Sequence, residues 1–199
     1  MVKENPHEWR DGLPFFGGSL WLDFLNTTPA VNGAVIDFIG SVEGLRRWIK
    51  AAVIGDADDP ACAAELQSAL AMRETLRNAF DLLAQGDTLS PRLLSSINSA
   101  LAALSIHRRL VLTEHRPALV ETFGIQGPWV AAMVANDFAQ FVCEFEPTRL
   151  RRCANPSCTM VFYDRGRNNT RRWCAMSICG NRDKVAHYRA RKAEKSSPG

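Results

Sequence analysis

Apolar positions recur along this chain with two periods, and the switch between them marks out most of the fold. Phe15-Phe16-Gly17-Gly18 leads into Ser19-Leu20-Trp21-Leu22-Asp23-Phe24-Leu25, where Ser19 suits an N-cap and Leu22 and Leu25 suit a short buried helix. Ser41 opens a second helical stretch with Leu45, Trp48, Ile49, Ala52 and Val53 on one face. Asp59-Pro60 starts a third and longer one, in which Leu66, Ala69, Leu70, Arg73, Leu76, Phe80 and Leu83 carry the helical period to a stop at Gly86. Arg73 and Arg77 on that helix are expected to snorkel or to pair with Glu74 and Asp81 rather than to bind a ligand. Ser90-Pro91 begins a fourth helix, striped by Leu94, Ile97, Leu101 and Leu104. The period then drops to two: residues 108–113 and 118–123 flank Glu114-His115-Arg116-Pro117, which predicts a β-hairpin. Gly127-Pro128 opens a last helix from Trp129 towards Glu144, apolar on most sides and so buried, and Pro147 ends it.

These elements predict a mainly α fold with a small antiparallel β-hairpin over residues 1–147, an α+β body with its own core. The 199 residues, 46% of them hydrophobic, suffice for one ordinary domain and a small appended one. No apolar run approaches the roughly 18 to 20 residues that span a bilayer. Met1 to Pro14 lacks the apolar segment of a signal peptide, so a reducing cytoplasm is the expected compartment.

Charge separates a second unit. Residues 148–199 hold 13 Lys/Arg against 3 Asp/Glu, a balance of 13 − 3 = +10, while residues 1–147 hold 11 against 18, or −7. Such a split is the electrostatic footprint of a nucleic-acid-facing part joined to an acidic partner domain. The Lys/Ser/Pro-rich tail after Ala193 is expected to be disordered.

The basic unit contains Cys153, Cys158, Cys174 and Cys179 in the pattern C-x4-C-x15-C-x4-C. Zn²⁺ prefers four tetrahedral thiolates brought together as two close pairs, and the Asn155-Pro156 step favours the turn that curls the first pair. Disulfides do not suit a reducing compartment, and an iron–sulfur cluster would want three closely spaced cysteines. Cys62 and Cys143 have no partner at ligand spacing and read as small core residues. Met160–Tyr163 and Arg171–Trp173 are expected to form a short hairpin across the metal, followed by a basic helix, Val185 to Lys192. Knuckle, hairpin, knuckle and helix make a treble-clef-like finger in which one structural Zn²⁺ replaces a hydrophobic core.

At these residues the chain resembles the CGNR zinc fingers, named for the run that stands here as Cys179-Gly180-Asn181-Arg182; Arg152-Cys153, Phe162, Asp164, Arg171-Arg172-Trp173-Cys174, Lys184 and Arg189 belong to the same likeness, over about residues 149–192. Leu20 to Thr27 and the helical body look like the ABATE domain that accompanies this finger in bacterial stress-induced transcription regulators. The resemblance implies that the four cysteines bind zinc and that the finger faces DNA. Guanidinium groups pair with phosphates and can read guanine edges, which makes Arg165, Arg167, Arg171, Arg172, Arg182, Lys184, Arg189, Arg191 and Lys192 the candidate nucleic-acid contacts.

A zinc-finger adaptor for RNA or for an acidic protein satisfies the same charge pattern. An enzyme does not fit well: there is no phosphate loop or nucleophile elbow, the four histidines are scattered, and a four-thiolate zinc leaves no position for catalytic water. The body is then expected to sense a small-molecule effector or to form a homodimer. Asp23 and Asn26, three residues apart in an apolar stretch, are candidates for lining a ligand pocket, or else bond neighbouring backbone.

Overall fold

The computed structural model describes residues 8–31, 33–54 and 63–196. Two short antiparallel hairpins, β1 (Trp9–Arg10) with β2 (Leu13–Pro14) and β3 (Ala30–Val31) with β4 (Ala34–Val35), flank helix α1 (Leu20–Leu25). Helices α2 (Val42–Ala52), α3 (Ala63–Gln85) and α4 (Pro91–Leu101) follow, then the ribbon of β5 (Leu104–Thr113) and β6 (Arg116–Ile125), then α5 (Trp129–Val142). The C-terminal part is β7 (Leu150–Arg152), β8 (Val161–Tyr163), a π-turn over Met176–Gly180 and helix α6 (Asn181–Ser196). The fold is thus mainly helical with antiparallel hairpins, as the periodicity predicts.

The short helix α1 is the hub. Trp21 meets Phe138 edge-on at 5.1 Å and Phe141 at 5.2 Å, and Phe24 meets Trp48 of α2 at 5.0 Å, so this six-residue helix is held by aromatic burial rather than by its own length. Ser19 occupies the N-cap position, but its side chain makes no capping bond. The cap comes from another element: Trp21 N–H donates to Asp137 Oδ2 of α5 at 2.9 Å. Helix α5 is capped in the same borrowed way, because Pro128 has no side-chain acceptor. The N–H groups of Trp129 and Val130 donate to Glu65 of α3 at 3.1 and 2.8 Å.

Several positions depart from the periodic reading. Asp59-Pro60 and Cys62 lie outside the described residues; α3 is described from Ala63 and stops at Gly86, whose φ of +82° suits glycine. Val53, expected on the buried face of α2, is instead its left-handed C-cap and is exposed. Leu94 is likewise partly exposed, while Ile97 carries the burial of α4. Cys143 is exposed, one residue beyond the last turn of α5. Arg73 is buried and pairs with Asp37, at 2.8 and 2.5 Å, and with Thr27, rather than with Glu74 or Asp81. Its charge holds the Asp37 carboxyl below its ordinary range. Arg77 does pair with Glu74. The β5–β6 ribbon is ten residues per strand, longer than the expected hairpin, because its turn is only Glu114-His115, both at positive φ.

The finger segment packs onto the body through apolar contacts. Leu150 and Val161 belong to the same buried cluster as Trp21, Leu25 and Phe80, whereas Phe16 from the N-terminal segment belongs to the cluster around the cysteines. The junction is thus interlocked, with Leu150 and Val161 inserted one way and Phe16 the other.

Candidate metal centre and basic surface

The first cysteine pair sits in the turn between β7 and β8. Cys153 N–H donates to Met160 O at 2.9 Å, continuing the ladder, and Asn155 Oδ1 accepts from Ser157 N–H at 3.0 Å, so the Asn-Pro knuckle is fixed by its own side chain. The second pair is carried by an irregular segment and the π-turn. Cys179 N–H donates to Ala175 O, which aims Cys179 back at Cys174 at the entry to α6. A Cβ on Gly180 would lie 2.3 Å from Sδ of the exposed Met176 and 3.2 Å from Cδ1 of Trp173, so glycine lets both side chains pack close over this turn.

All four sulfurs lie within 4.8 Å of one another. Cys158 Sγ and Cys174 Sγ are 3.8 Å apart, and Cys174 Sγ and Cys179 Sγ 3.7 Å. Tetrahedral zinc with Zn–S bonds of about 2.3 Å requires sulfur separations of ~3.8 Å, so the cluster fits one Zn²⁺. The protonation chemistry agrees. Without a metal, hydrogen bonds from Cys158 and Cys174 pull Cys153 down to about 2, while the same bond pushes Cys158 up to about 12 and Cys174 higher still. Four mutually repelling thiolates are tolerable only around a cation. Asn155 Nδ2 and Cys174 N–H donate to Cys179 Sγ and Cys153 Sγ, at 3.5 and 3.4 Å, and would orient the ligands and disperse their charge.

The expected hairpin between residues 160–163 and 171–173 does not form. β8 pairs with β7 instead, and Arg171–Trp173 is irregular. The reason is Asp164, buried at the end of β8, whose carboxylate accepts from Gly166 N–H and Arg171 N–H, both at 2.8 Å. It thereby closes the 164–171 loop through a side chain rather than a ladder. Burial pushes this carboxyl up, but the two N–H donors, with Arg151 and Arg171 nearby, hold it below its ordinary range.

The nine candidate basic contacts divide by what they touch. Arg171 stacks on Phe162 at 4.2 Å and donates to the carbonyls of Phe16, Trp173 and Cys174, so its guanidinium is an internal strut of the metal site. Arg165 reaches back to Gly18 O at 2.8 Å. Arg167, Arg172, Arg182, Lys184, Arg189, Arg191 and Lys192 are exposed, with Arg172 over the Trp173 ring at 5.0 Å. Arg149, Arg151 and Arg152 are also engaged, with carbonyls of the loop, with Glu146, and with Asp81 of α3. Counting charge in the sequence therefore overstates the cationic groups that face outward.

Asp23 and Asn26 are both buried, and both face backbone. Asp23 Oδ1 accepts from Gly17 N–H at 2.7 Å. Burial, with Asp137 nearby, lifts its carboxyl to about 7 against the pull of that N–H, Arg10 and Arg171. Asn26 presents its amide to Val161 as a strand would, donating to the carbonyl at 2.9 Å and accepting from the N–H at 2.8 Å. Asn26 thus docks the finger on the body, while Asp23 holds the N-terminal segment at Gly17. A cavity of about 290 Å³ lies instead between α1, α3 and β8, lined by Leu25, Thr28, Arg77, Phe80, Arg152 and Val161.

Residues 149–192 match the CGNR zinc finger family, and residues 18–144 match the ABATE family, described as "Putative stress-induced transcription regulator". The chain belongs to the ABATE family. Comparison with curated proteins gives no match. Membership ties the four-cysteine cluster to a CGNR finger and the aromatic hub to the ABATE body, and among the described residues no helix is long and apolar enough to cross a membrane. Asn26, Asn155, Asp164 and Arg171 are the functional positions whose roles residue type alone did not give. The signal for Asn26 was a polar residue in an apolar helix, and for Asp164 an acid in a run of arginines.

Proposed function

We propose that this ABATE-family chain is a DNA-binding transcription regulator whose zinc-loaded finger lays α6 and the loop around Arg167 and Arg172 against the duplex. The observation that carries the reading is the outward basic set left once the structural arginines are discounted. Arg182 and Arg189, seven residues apart, share one side of α6, and Lys184 and Arg191 share another. A helix so equipped can enter the major groove with the Arg182 and Arg189 side while the remainder rides the phosphates. The body supplies regulatory input through the Asn26–Val161 junction. The cavity beside that junction suits an effector better than Asp23 or Asn26 themselves, which are buried and bonded to backbone.

Selection of bound sequences from a random oligonucleotide pool with the zinc-loaded full chain tests this. A duplex motif should emerge, and the logarithm of affinity should fall against log salt with a slope of roughly −4 to −6, from about five or six phosphate contacts. Absence of duplex binding at low salt would overturn the reading. Preferential recovery of single-stranded RNA, or retention on an acidic protein that is lost when the exposed arginines are neutralised, in the absence of duplex binding, would move the finger to those partner classes.

A further inference from the structure

The β5–β6 ribbon is the least accounted-for part of the molecule. Its ten cross-strand pairs alternate between two faces. Leu104, Ile106, Arg108, Leu110 and Leu112 point one way, with Glu121, Leu119 and Pro117 opposite the last three, and Ser105, His107, Arg109, Val111 and Thr113 the other. The first face is apolar, yet it is in solvent: Leu110 is 74% exposed, Leu112 77% and Leu119, opposite Leu110, 62%. Among the described residues Leu104 at the root is half-buried, and Gln126 N–H donates to Ala103 O one step beyond the last strand pair. A lone two-stranded ribbon is marginal in water, and this one also turns through two non-glycine residues at positive φ. An apolar face of this kind in solvent is the surface expected of a docking site.

Charge placement says for which partner. Of the five pairs on the apolar face the middle one is Arg108↔Glu121, an ion pair at 2.8 Å, with two apolar positions of β5 on each side. A lipid surface or a uniformly apolar partner would bury that pair without compensation, at a cost of several kcal/mol. A polyanion would find no net charge there. A second copy of the same ribbon fits: a two-fold axis parallel to the strands and midway between the two ribbons sets Arg108 of each copy against Glu121 of the other and matches apolar positions to apolar positions. We propose that the β5–β6 ribbon is a homodimerisation arm, self-complementary about the Arg108–Glu121 pair. At ~100 Å² for each exposed apolar side chain plus the stems of the central pair, the arms bury on the order of 1,000–1,200 Å² together, the lower limit for a specific interface, so the dimer is a concentration-dependent one.

Sedimentation velocity of the full zinc-loaded chain from about 1 to 200 μM should show monomer passing to dimer. Leu110→Glu with Leu119→Glu should hold the chain monomeric, raising the dissociation constant at least tenfold, with unchanged circular dichroism. Arg108→Glu alone and Glu121→Arg alone should each weaken self-association, because each creates a like-charged centre. An equimolar mixture of those two variants should associate more tightly than either by itself, an outcome that a purely intramolecular ion pair cannot produce. A wild-type chain that stays monomeric throughout, a doubly substituted chain that dimerises like wild type, or a mixture no tighter than its components would overturn the proposal. So would leucine-dependent retention on lipid vesicles by a monomer.

Discussion

Arg171 stands in the most basic run of the chain, and its charge is consumed internally. Its guanidinium forks to three carbonyls around the metal site and lies on Phe162, a geometry a lysine cannot reproduce. Arg171→Lys should therefore speed zinc loss to a chelator severalfold and lower finger stability by about 2 kcal/mol. Arg167→Ala should leave zinc retention unchanged and flatten the salt slope of DNA binding by about one unit. Zinc release followed with a chromogenic chelator, beside a salt titration, separates the two. At Asp23 the argument concerns protons. Its carboxyl titrates at about 7 in the folded chain against 3.8 when unperturbed, so the folded state holds the extra proton between those values. Its contribution is full below about pH 4 and is lost as pH rises through 7. Between pH 5.5 and 8 that amounts to about 2 kcal/mol. Chemical denaturation should show the wild type more stable at the lower pH by this margin relative to Asp23→Asn; an equal pH dependence in both would refute the assignment.

At the scale of elements, what was legible follows from what local sequence controls. Helices α2, α4 and α5 were readable because their burial faces recur at helical spacing and their starts carry Ser or Pro, and α3 because its buried stripe keeps the same spacing. The two borrowed caps were not, since Asp137 and Glu65 reach their targets from 116 and 64 residues away. The cysteine spacing disclosed the metal ligands, yet the strand pairing of the finger was misassigned. Residues 160–163 and 171–173 both look like strands, and only the tertiary placement of Asp164 decides against that hairpin. Asn26 is the same lesson on α1: a side-chain amide that serves as a strand edge for β8 has no periodic signature. Asn26→Ala strips both partners from Val161's buried backbone and should cost about 2 to 4 kcal/mol. Asn26→Leu should be no better, because volume is not what the site lacks. Urea denaturation of the pair checks this, and recovery of stability by leucine would argue that packing rather than bonding holds the junction.

For the whole molecule, the sequence suggests a body and a finger with separate cores, and the contact pattern argues against that independence. Leu150 and Val161 are buried among body residues, Phe16 is buried among finger residues, and Arg152 bridges to Asp81 of α3. Structural zinc in a small module supplies on the order of 10 kcal/mol, comparable with the total stability of an ordinary domain. Cys174→Ser, which removes one ligand, should thus do more than melt residues 149–192. It withdraws Val161 from Asn26 and Leu25 and strips the covering from α1, whereas α3, α4 and α5 keep their mutual contacts around Phe80, Ile97 and Phe138. Losing those junction contacts at roughly 3 to 4 kcal/mol corresponds to a fall of about 10 °C in the melting temperature of the remaining body. Amide hydrogen exchange should show α1 and β8 losing protection together while the centres of α3 and α5 retain theirs. Full protection of α1 in the variant would restore the picture of two independent units. Coupled loss would mean that whatever settles in the cavity between α1, α3 and β8 can bias how firmly the finger is held.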